Sequence, residues 1–443
     1  MKKKKSLVLL VLSMFLLILA ACSNDSGGGN GNSGSSGGNP DAEVKLTMTA
    51  WGNPAEQEVY QRALDAYMEE NPEVSIELIP APGDTYRQQL FTQLQGSQAT
   101  DLFYVGAEYM AQLIATGRVM ELSEFLESDE SYVKPDEFAE GLWGPARNED
   151  GIYGTAVDSN PMLIYYNKKV LEEAGIDPTE PQKLYEAGEW NWDNFTELNR
   201  QVAESGKYGF VAENSALHHF SWSWTNGGEM YDEDANLILA DNEKAQEAFG
   251  YVADNIAEGN FTYAGALPEG QGPDAMFMSN QTAFVAAGRW LTPMFSENEA
   301  LEFDYIPWPT NTGETLETAS IATAYLAVGE HSDNVEEAMK FLSYYTSEQG
   351  QRDRLTDGGN AVPSVEAADD IIDNADVPEH ASYLVDVRNI GQVEDKQTTI
   401  PGLDEEINSL LDLLFLGQED LDTTIGKIDQ VGTEIIEEYR SEE

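Results

Sequence analysis

Apolar residues recur along this chain in two alternating rhythms. From Val44 to Thr49 (VKLTMT) they fall at every second position, the period of a half-buried strand. After Ala50-Trp51-Gly52, Pro54 opens a stretch in which Val59, Tyr60, Ala63, Leu64 and Tyr67 share one face of a helix. Asn71-Pro72 stops that helix, and Val74 to Ile79 (VSIELI) alternates again. A helix around Tyr86 to Leu94, an apolar strand from Asp101 to Val105 and a helix from about Ala107 to Ala115 follow. This order predicts an α/β architecture with a largely parallel sheet and right-handed crossovers. Ligands of such sheets sit beyond the carboxyl ends of the strands, where Trp51 and Gly106 to Tyr109 lie. Further helices are predicted at Val335–Tyr345, Ile407–Phe415 and Leu421–Ile436, with Gly417 between the last two.

The first forty residues follow neither rhythm. Lys2 to Lys5 precede an uncharged apolar run from Leu7 to Ala21, the layout of a secretory signal and too short to span a bilayer. The run ends in Leu19-Ala20-Ala21-Cys22, which resembles the lipobox of bacterial lipoproteins and implies acylation of Cys22. One acyl chain binds a membrane only marginally, so anchoring there would use more than one. Residues 23–39 (SNDSGGGNGNSGSSGGN) hold no apolar side chain and read as a flexible tether with a reach of roughly 20–25 Å. The expected division is therefore a signal at 1–21, a tether at 22–40, and a body of a size that suggests two lobes.

Composition narrows the chemistry. Cys22 is the only cysteine, so the body has neither a disulfide nor a catalytic thiol. The chain carries 24 Lys and Arg against 80 Asp and Glu, a net charge of −56, and loss of the signal removes four lysines more. Such a balance excludes nucleic acid as a partner. The acids are spread evenly, as on a solvated surface in a saline or alkaline habitat. No GxSxG or P-loop is present, and GxGxxG does not occur outside the tether. Asp232-x-Asp234-x-Asn236 with Glu243 resembles a calcium loop, but Leu237 stands where the turn requires Gly, so a plain turn between strands is expected. His218-His219 has no matching pair for zinc. The sequence calls for no cofactor and no metal.

The stretch Ala156 to Leu171 (AVDSNPMLIYYNKKVL) runs an apolar strand into Tyr166-Asn167, with Leu171 four places on. With AWGNPAEQ, DLFYVGAEYMAQLIATGRVMEL, WNWDNFTELNRQVAE, WSWTNGGEMYD, FVAAGRW and EEAMKFLSYYTSEQGQ in order, it resembles the extracellular solute-binding proteins of ABC importers, the sugar-binding group that includes maltose-binding protein. Leu163 departs from the small residue usual there. The resemblance implies a two-lobed periplasmic-binding-protein fold with a hinge and a ligand cleft. By analogy, lobe one takes 41–155 plus 319–355, and lobe two takes 156–318 plus 356–443. It also implies a carbohydrate ligand, permease subunits as partners, membrane contact through the lipid anchor alone, and a monomer.

Sugars offer flat C–H patches to aromatic faces and hydroxyl rims to carboxylates, amides and Arg. The candidate binding residues are accordingly Trp51, Trp222, Trp224, Trp290 and Trp308 as platforms. The polar candidates are Glu56, Asp101, Tyr109, Asp158, Asn160, Asn226, Arg289 and Asn360. Trp290, after Gly288-Arg289, stands where the family commonly places a stacking aromatic. Trp143, Trp190 and Trp192 read as core. A polyamine or peptide ligand in the same receptor, or a glycan-active enzyme with paired carboxylates, are the alternatives.

Overall fold

A computed structural model describes residues 42–442 except 269, 374–377, 395, 398 and 399. The signal, Cys22 and the tether lie outside the described residues. Fourteen strands are assigned among those described. In chain order they begin with β1 (Val44–Trp51), β2 (Val74–Ala81) and β3 (Leu102–Gly106), then the hairpin β4 (Arg147–Asn148) and β5 (Gly151–Ile152). Next come β6 (Thr155–Ala156), β7 (Asn160–Pro161), β8 (Leu163–Asn167), β9 (Tyr208–Ala212) and β10 (Phe261–Tyr263). Last are β11 (Thr282–Ala287), β12 (Phe303–Ile306), β13 (Ile321–Ala322) and β14 (Ala324–Val328).

The strands form two five-stranded sheets, in the orders β2-β1-β3-β14-β6 and β10-β9-β11-β8-β12. In the first, β1 runs parallel to β2 and β3, as the alternating strands and helices predict. β14 is antiparallel to β3, with Ala324 opposite Gly106. The chain returns from the second lobe directly at the carboxyl end of β3, with no crossover helix, and can only run back down the sheet. In the second sheet β9 is parallel to β10 and β11, whereas β8 is antiparallel to β11 and β12.

Each sheet has its own core. The first cluster includes Leu46, Met48, Leu64, Phe103 and Leu342, and reaches Val157 and Ala368. The second includes Tyr165, Phe195, Trp222, Phe284 and Ile428. Between them the chain crosses in a narrow strap. β7 pairs antiparallel with β13, Ile321 opposite Pro161, and Ser159 exchanges backbone hydrogen bonds of 2.9 and 3.2 Å with Val362.

The predicted elements emerge with shifted ends. The first helix is Pro54–Glu70, the second Gly83–Gln95, and the third coincides with the expected Ala107–Ala115. The tail helices are Leu403–Phe415 and Leu421–Glu442, longer than the apolar periodicity because the added residues are mostly polar, buried Leu403 excepted. The Asp232 segment forms a tight turn. Asp232 Oδ1 accepts from the backbone N–H groups of Asp234 and Asn236, and Arg440 donates to Asn236 Oδ1 at 2.8 Å. Only a single bridge, Tyr231 to Leu237, joins the flanks that were expected to be strands.

Candidate ligand-binding cleft

A cavity of about 550 Å³ opens beside the strap, at the carboxyl end of β1. The first lobe supplies Trp51, Glu56, Tyr60 and Tyr104, and with them Asn360, which neighbours Ala361 of the first core although residues 356–443 were expected in lobe two; Asp158 and Asn160 come from the strap, and Trp290 from the second lobe. Aromatic side chains from both lobes thus share one cavity with carboxylates and amides, which matches the needs of a ring bearing hydroxyls.

Local sequence fixes each group. Asn53 caps the Pro54–Glu70 helix, accepting from Glu56 N at 3.1 Å, while Glu56 Oε2 accepts from Asn53 N at 2.8 Å. This reciprocal cap holds the Glu56 carboxylate at the cavity wall instead of leaving it to solvent. Gly52 makes the bend possible: its φ is +149°, and a Cβ there would lie 3.0 Å from Glu56 Cβ. Trp51 is wedged edge-on against Tyr86 and Tyr104, at centroid distances of 5.1 and 5.3 Å. Across the cleft, Asn160 Oδ1 accepts from Arg289 N at 3.1 Å, tying the loop that carries Trp290 to the strap. Gly288 allows that approach, since a Cβ would strike both the Trp290 ring and Asn160 Cβ.

The floor is acidic and buried. Asp158 Oδ1 accepts from Asn160 Nδ2 at 3.1 Å, and its Oδ2 lies 3.6 Å from Arg354 Nη1. Burial pushes the Asp158 carboxyl up to about 6, against the opposing pull of Arg354 and Asn160. Burial also raises Glu56, in spite of hydrogen bonds from Asn53 and Asn360. Asn360 Nδ2 donates to Glu56 Oε1 at 3.3 Å, and its own Oδ1 is buried with no partner among the described residues. Arg354 is fully buried behind Asp158, with its guanidinium 4.9 Å from the Tyr345 ring centre. The cavity therefore offers acceptors to hydroxyl donors and holds its one supporting cation out of reach.

Six expected residues meet here: Trp51, Glu56, Asp158, Asn160, Trp290 and Asn360. Sequence reasoning missed Asn53, Tyr60, Tyr104 and Thr323, which also line the cavity. The remaining candidates lie elsewhere. Asp101 immediately precedes β3, at the opposite end of the sheet, where it accepts from Thr47 and Ser332. Tyr109 is buried in the first lobe against Phe91, with Arg87 over its ring. Trp222 and Trp308 pack edge-to-face at 4.8 Å in the second core. Trp224 is buried there too, its indole donating to Glu229. Asn226 is spent on Lys244 O, Glu247 and Asn311. The polar residues after these tryptophans close a helix end and do not face a ligand. Arg289 is buried, donates to Ala361 O, and borders a different void.

That void is larger, about 620 Å³, on the other side of the Pro54–Glu70 helix. Among the described residues no aromatic side chain lines it, and Arg352 in its lining already pairs with Glu348 and Asp370. The aromatic cavity is the better ligand site for a sugar. A separate grouping of Asp304, Glu379 and His380 has metal-ligand geometry. Lys168 Nζ and His380 Nδ1 both lie 2.9 Å from Asp304 Oδ2, so the carboxylate is already engaged in fastening the segment around His380 to β12.

Residues 51–352, more than half of the chain, match the model of the bacterial extracellular solute-binding protein family. The chain belongs to this family. An arabinooligosaccharide-binding protein of Halalkalibacterium halodurans is 23% identical over 314 residues, 67% of this chain and 66% of that protein, so the chain spans about two thirds of that relative. Among solved structures, an ABC substrate-binding protein of Listeria monocytogenes in complex with cycloalternan aligns with a TM-score of 0.78 at 18% identity, covering 89% of this chain and 99% of that one. A maltose-bound protein of T. maritima aligns at 0.71 and 18% identity, covering 87% and 98%. These likenesses establish the two-lobed α/β binding-protein fold.

Proposed function

We propose that this family member is a lipid-anchored receptor that captures a carbohydrate between its lobes and delivers it to the permease of an ABC importer. The observation that carries this reading is the cavity itself, whose lining brings Trp51 and Trp290 together with Glu56, Asp158 and Asn360. Aromatic walls take the C–H faces of a sugar, and buried acceptors take its hydroxyls. The names of the relatives and of the bound ligands point the same way. The lobes would close about the strap, and the closed form would be what the permease recognises. The leader and Cys22 would hold a monomeric receptor on the outer face of the cytoplasmic membrane by acylation, without a cofactor and without turnover.

Titration of the full chain in detergent with mono-, di- and oligosaccharides, followed by tryptophan fluorescence, tests this. Saturable quenching or enhancement near micromolar ligand, about −8 kcal/mol, is expected. A signal that responds to polyamines or peptides and to no sugar would refute the carbohydrate assignment. Release of new reducing ends from a glycan would refute the receptor assignment.

A further inference from the structure

Arg62, Arg289 and Arg352 border the 620 Å³ void beyond the Pro54–Glu70 helix. Among the described residues only Arg352 of the three forms an ion pair, in a chain where 80 acids face 24 basic residues. Arg62 comes from the first lobe, on the Pro54–Glu70 helix. Its Nη1 donates to the backbone carbonyls of Thr356, at 2.8 Å, and Asp357, at 3.2 Å. Arg289 comes from the second lobe, just after β11. It is 3% exposed, and its Nη1 donates to Ala361 O at 2.8 Å. Its Nε is buried with no hydrogen-bond partner among the described residues.

A guanidinium cannot shed its proton to escape burial, so Arg289 stays charged. Burial pulls it down from its ordinary value, and the titratable groups that act on it are Tyr305 and Tyr165. Burial pushes both phenols up, so they are neutral and supply no counter-charge. A charge buried without a partner is costly, which is why such groups are found paired. Carboxylates do border the void, at Glu58, Glu297, Asp357 and Asp370, but all four are exposed, and Asp370 is already held by Arg352. The buried part of the lining, Val59, Arg289, Thr292 and Leu355, carries one positive charge and no negative one.

We infer that this void holds a small monovalent anion against Arg289, with Arg62 adding positive charge from the other lobe, and that chloride is the ion a saline setting supplies. The buried lining attracts negative charge, while the exposed acids repel doubly charged oxyanions such as sulfate more strongly than a halide. The lining comes from both lobes, so the ion favours the lobe arrangement that brings Arg62 and Arg289 to one void. It also braces the lobe junction, since Arg289 N donates to Asn160 Oδ1 in the strap. The anion site and the aromatic cavity share no lining residue among those described.

The test is chloride titrated into the full chain in detergent, without sugar, at an ionic strength held constant with sodium isethionate. The thermal midpoint should rise with the logarithm of chloride concentration once the site begins to fill. Chloride NMR lines should broaden beyond those of a detergent blank over the same range. Arg62→Gln should move the onset of both effects to about tenfold higher chloride, as expected for the loss of a charged hydrogen bond. Arg289→Gln should abolish them; Arg62→Gln, whose side chain is only half-buried, carries the comparison where that variant does not fold. A midpoint and a line width indifferent to chloride would overturn the inference. So would effects that Arg62→Gln leaves unchanged, or a midpoint rise that sulfate reproduces at the same ionic strength. No sugar enters the test, so every outcome leaves the receptor reading where it stands.

Discussion

The acidic floor predicts that ligand affinity falls as pH drops through about 6. In the free protein, burial holds the Asp158 carboxyl near 6, against an ordinary value of 3.8. A bound sugar that donates hydroxyls to this carboxylate favours its charged form and lowers that value. If binding restores it to the ordinary value, the gap corresponds to ~3 kcal/mol, or on the order of a hundredfold in affinity between pH 7 and pH 4. Glu56 is raised for the same reason, and its contribution has the same sign. Stability of the free protein runs the other way. A carboxyl raised on folding stabilises fully below its unfolded value, and that contribution is lost as pH rises through the folded one. The unliganded chain should therefore gain from Asp158 at acid pH while the complex weakens. Isothermal titration calorimetry from pH 7.5 to 4.5, on the unaltered chain and on Asp158→Asn, reads both the constant and the protons taken up. The variant should bind more weakly at pH 7.5 and lose part of the slope. Affinity that is flat over this range, or a slope that Asp158→Asn leaves unchanged, would refute the argument.

Other consequences follow from burial and contact. Trp290→Ala should weaken sugar binding at least tenfold, about 1.4 kcal/mol, with little change in the thermal midpoint because the ring is only half-buried. Trp222→Ala, in the second core against Trp308, should cost about 3–5 kcal/mol in denaturant unfolding without a specific effect on the ligand. Arg87 and Glu405 form an exposed 2.8 Å ion pair between a first-lobe helix and a second-lobe helix. Arg87→Ala should therefore raise the ligand off-rate modestly, by less than about 1 kcal/mol, and only at low salt in stopped-flow measurements.

Much of the architecture was legible because the two periodicities are clean. The Pro54–Glu70 helix carries both a cap and a one-sided apolar face, and the strands beside it alternate. The candidate site was legible where chemistry and strand ends coincide, at Trp51, Glu56 and Trp290, which line one cavity. It was not legible where periodicity points to core. Tyr60 belongs to the buried helix face and Tyr104 to a fully buried strand, yet both also border the cavity. Thr323 reaches it from the link between β13 and β14, which arrives late in the sequence, and it donates to Asp158 O at 2.6 Å. Trp222 and Trp224 misled for the converse reason. Their polar neighbours suggested a loop at a cleft, whereas the Ala216–Trp224 helix is buried over seven consecutive residues from His218, and Ser221, Thr225 and Asn226 donate to Leu217 O, Ser221 O and Lys244 O inside the lobe.

The position of β14 has a consequence for how the protein is made. Residues 324–328 sit between β3 and β6, inside a sheet whose other members all precede residue 157. Until they arrive, β3 and β6 present unpaired edges, and the first lobe is held short of completion by a pairing with more than 150 residues of intervening chain. A chain threaded outward from its N-terminus would thus stay incompletely folded until most of its length had emerged. That delay suits passage through a narrow translocation pore, and it leaves the tightest folding step to the far side.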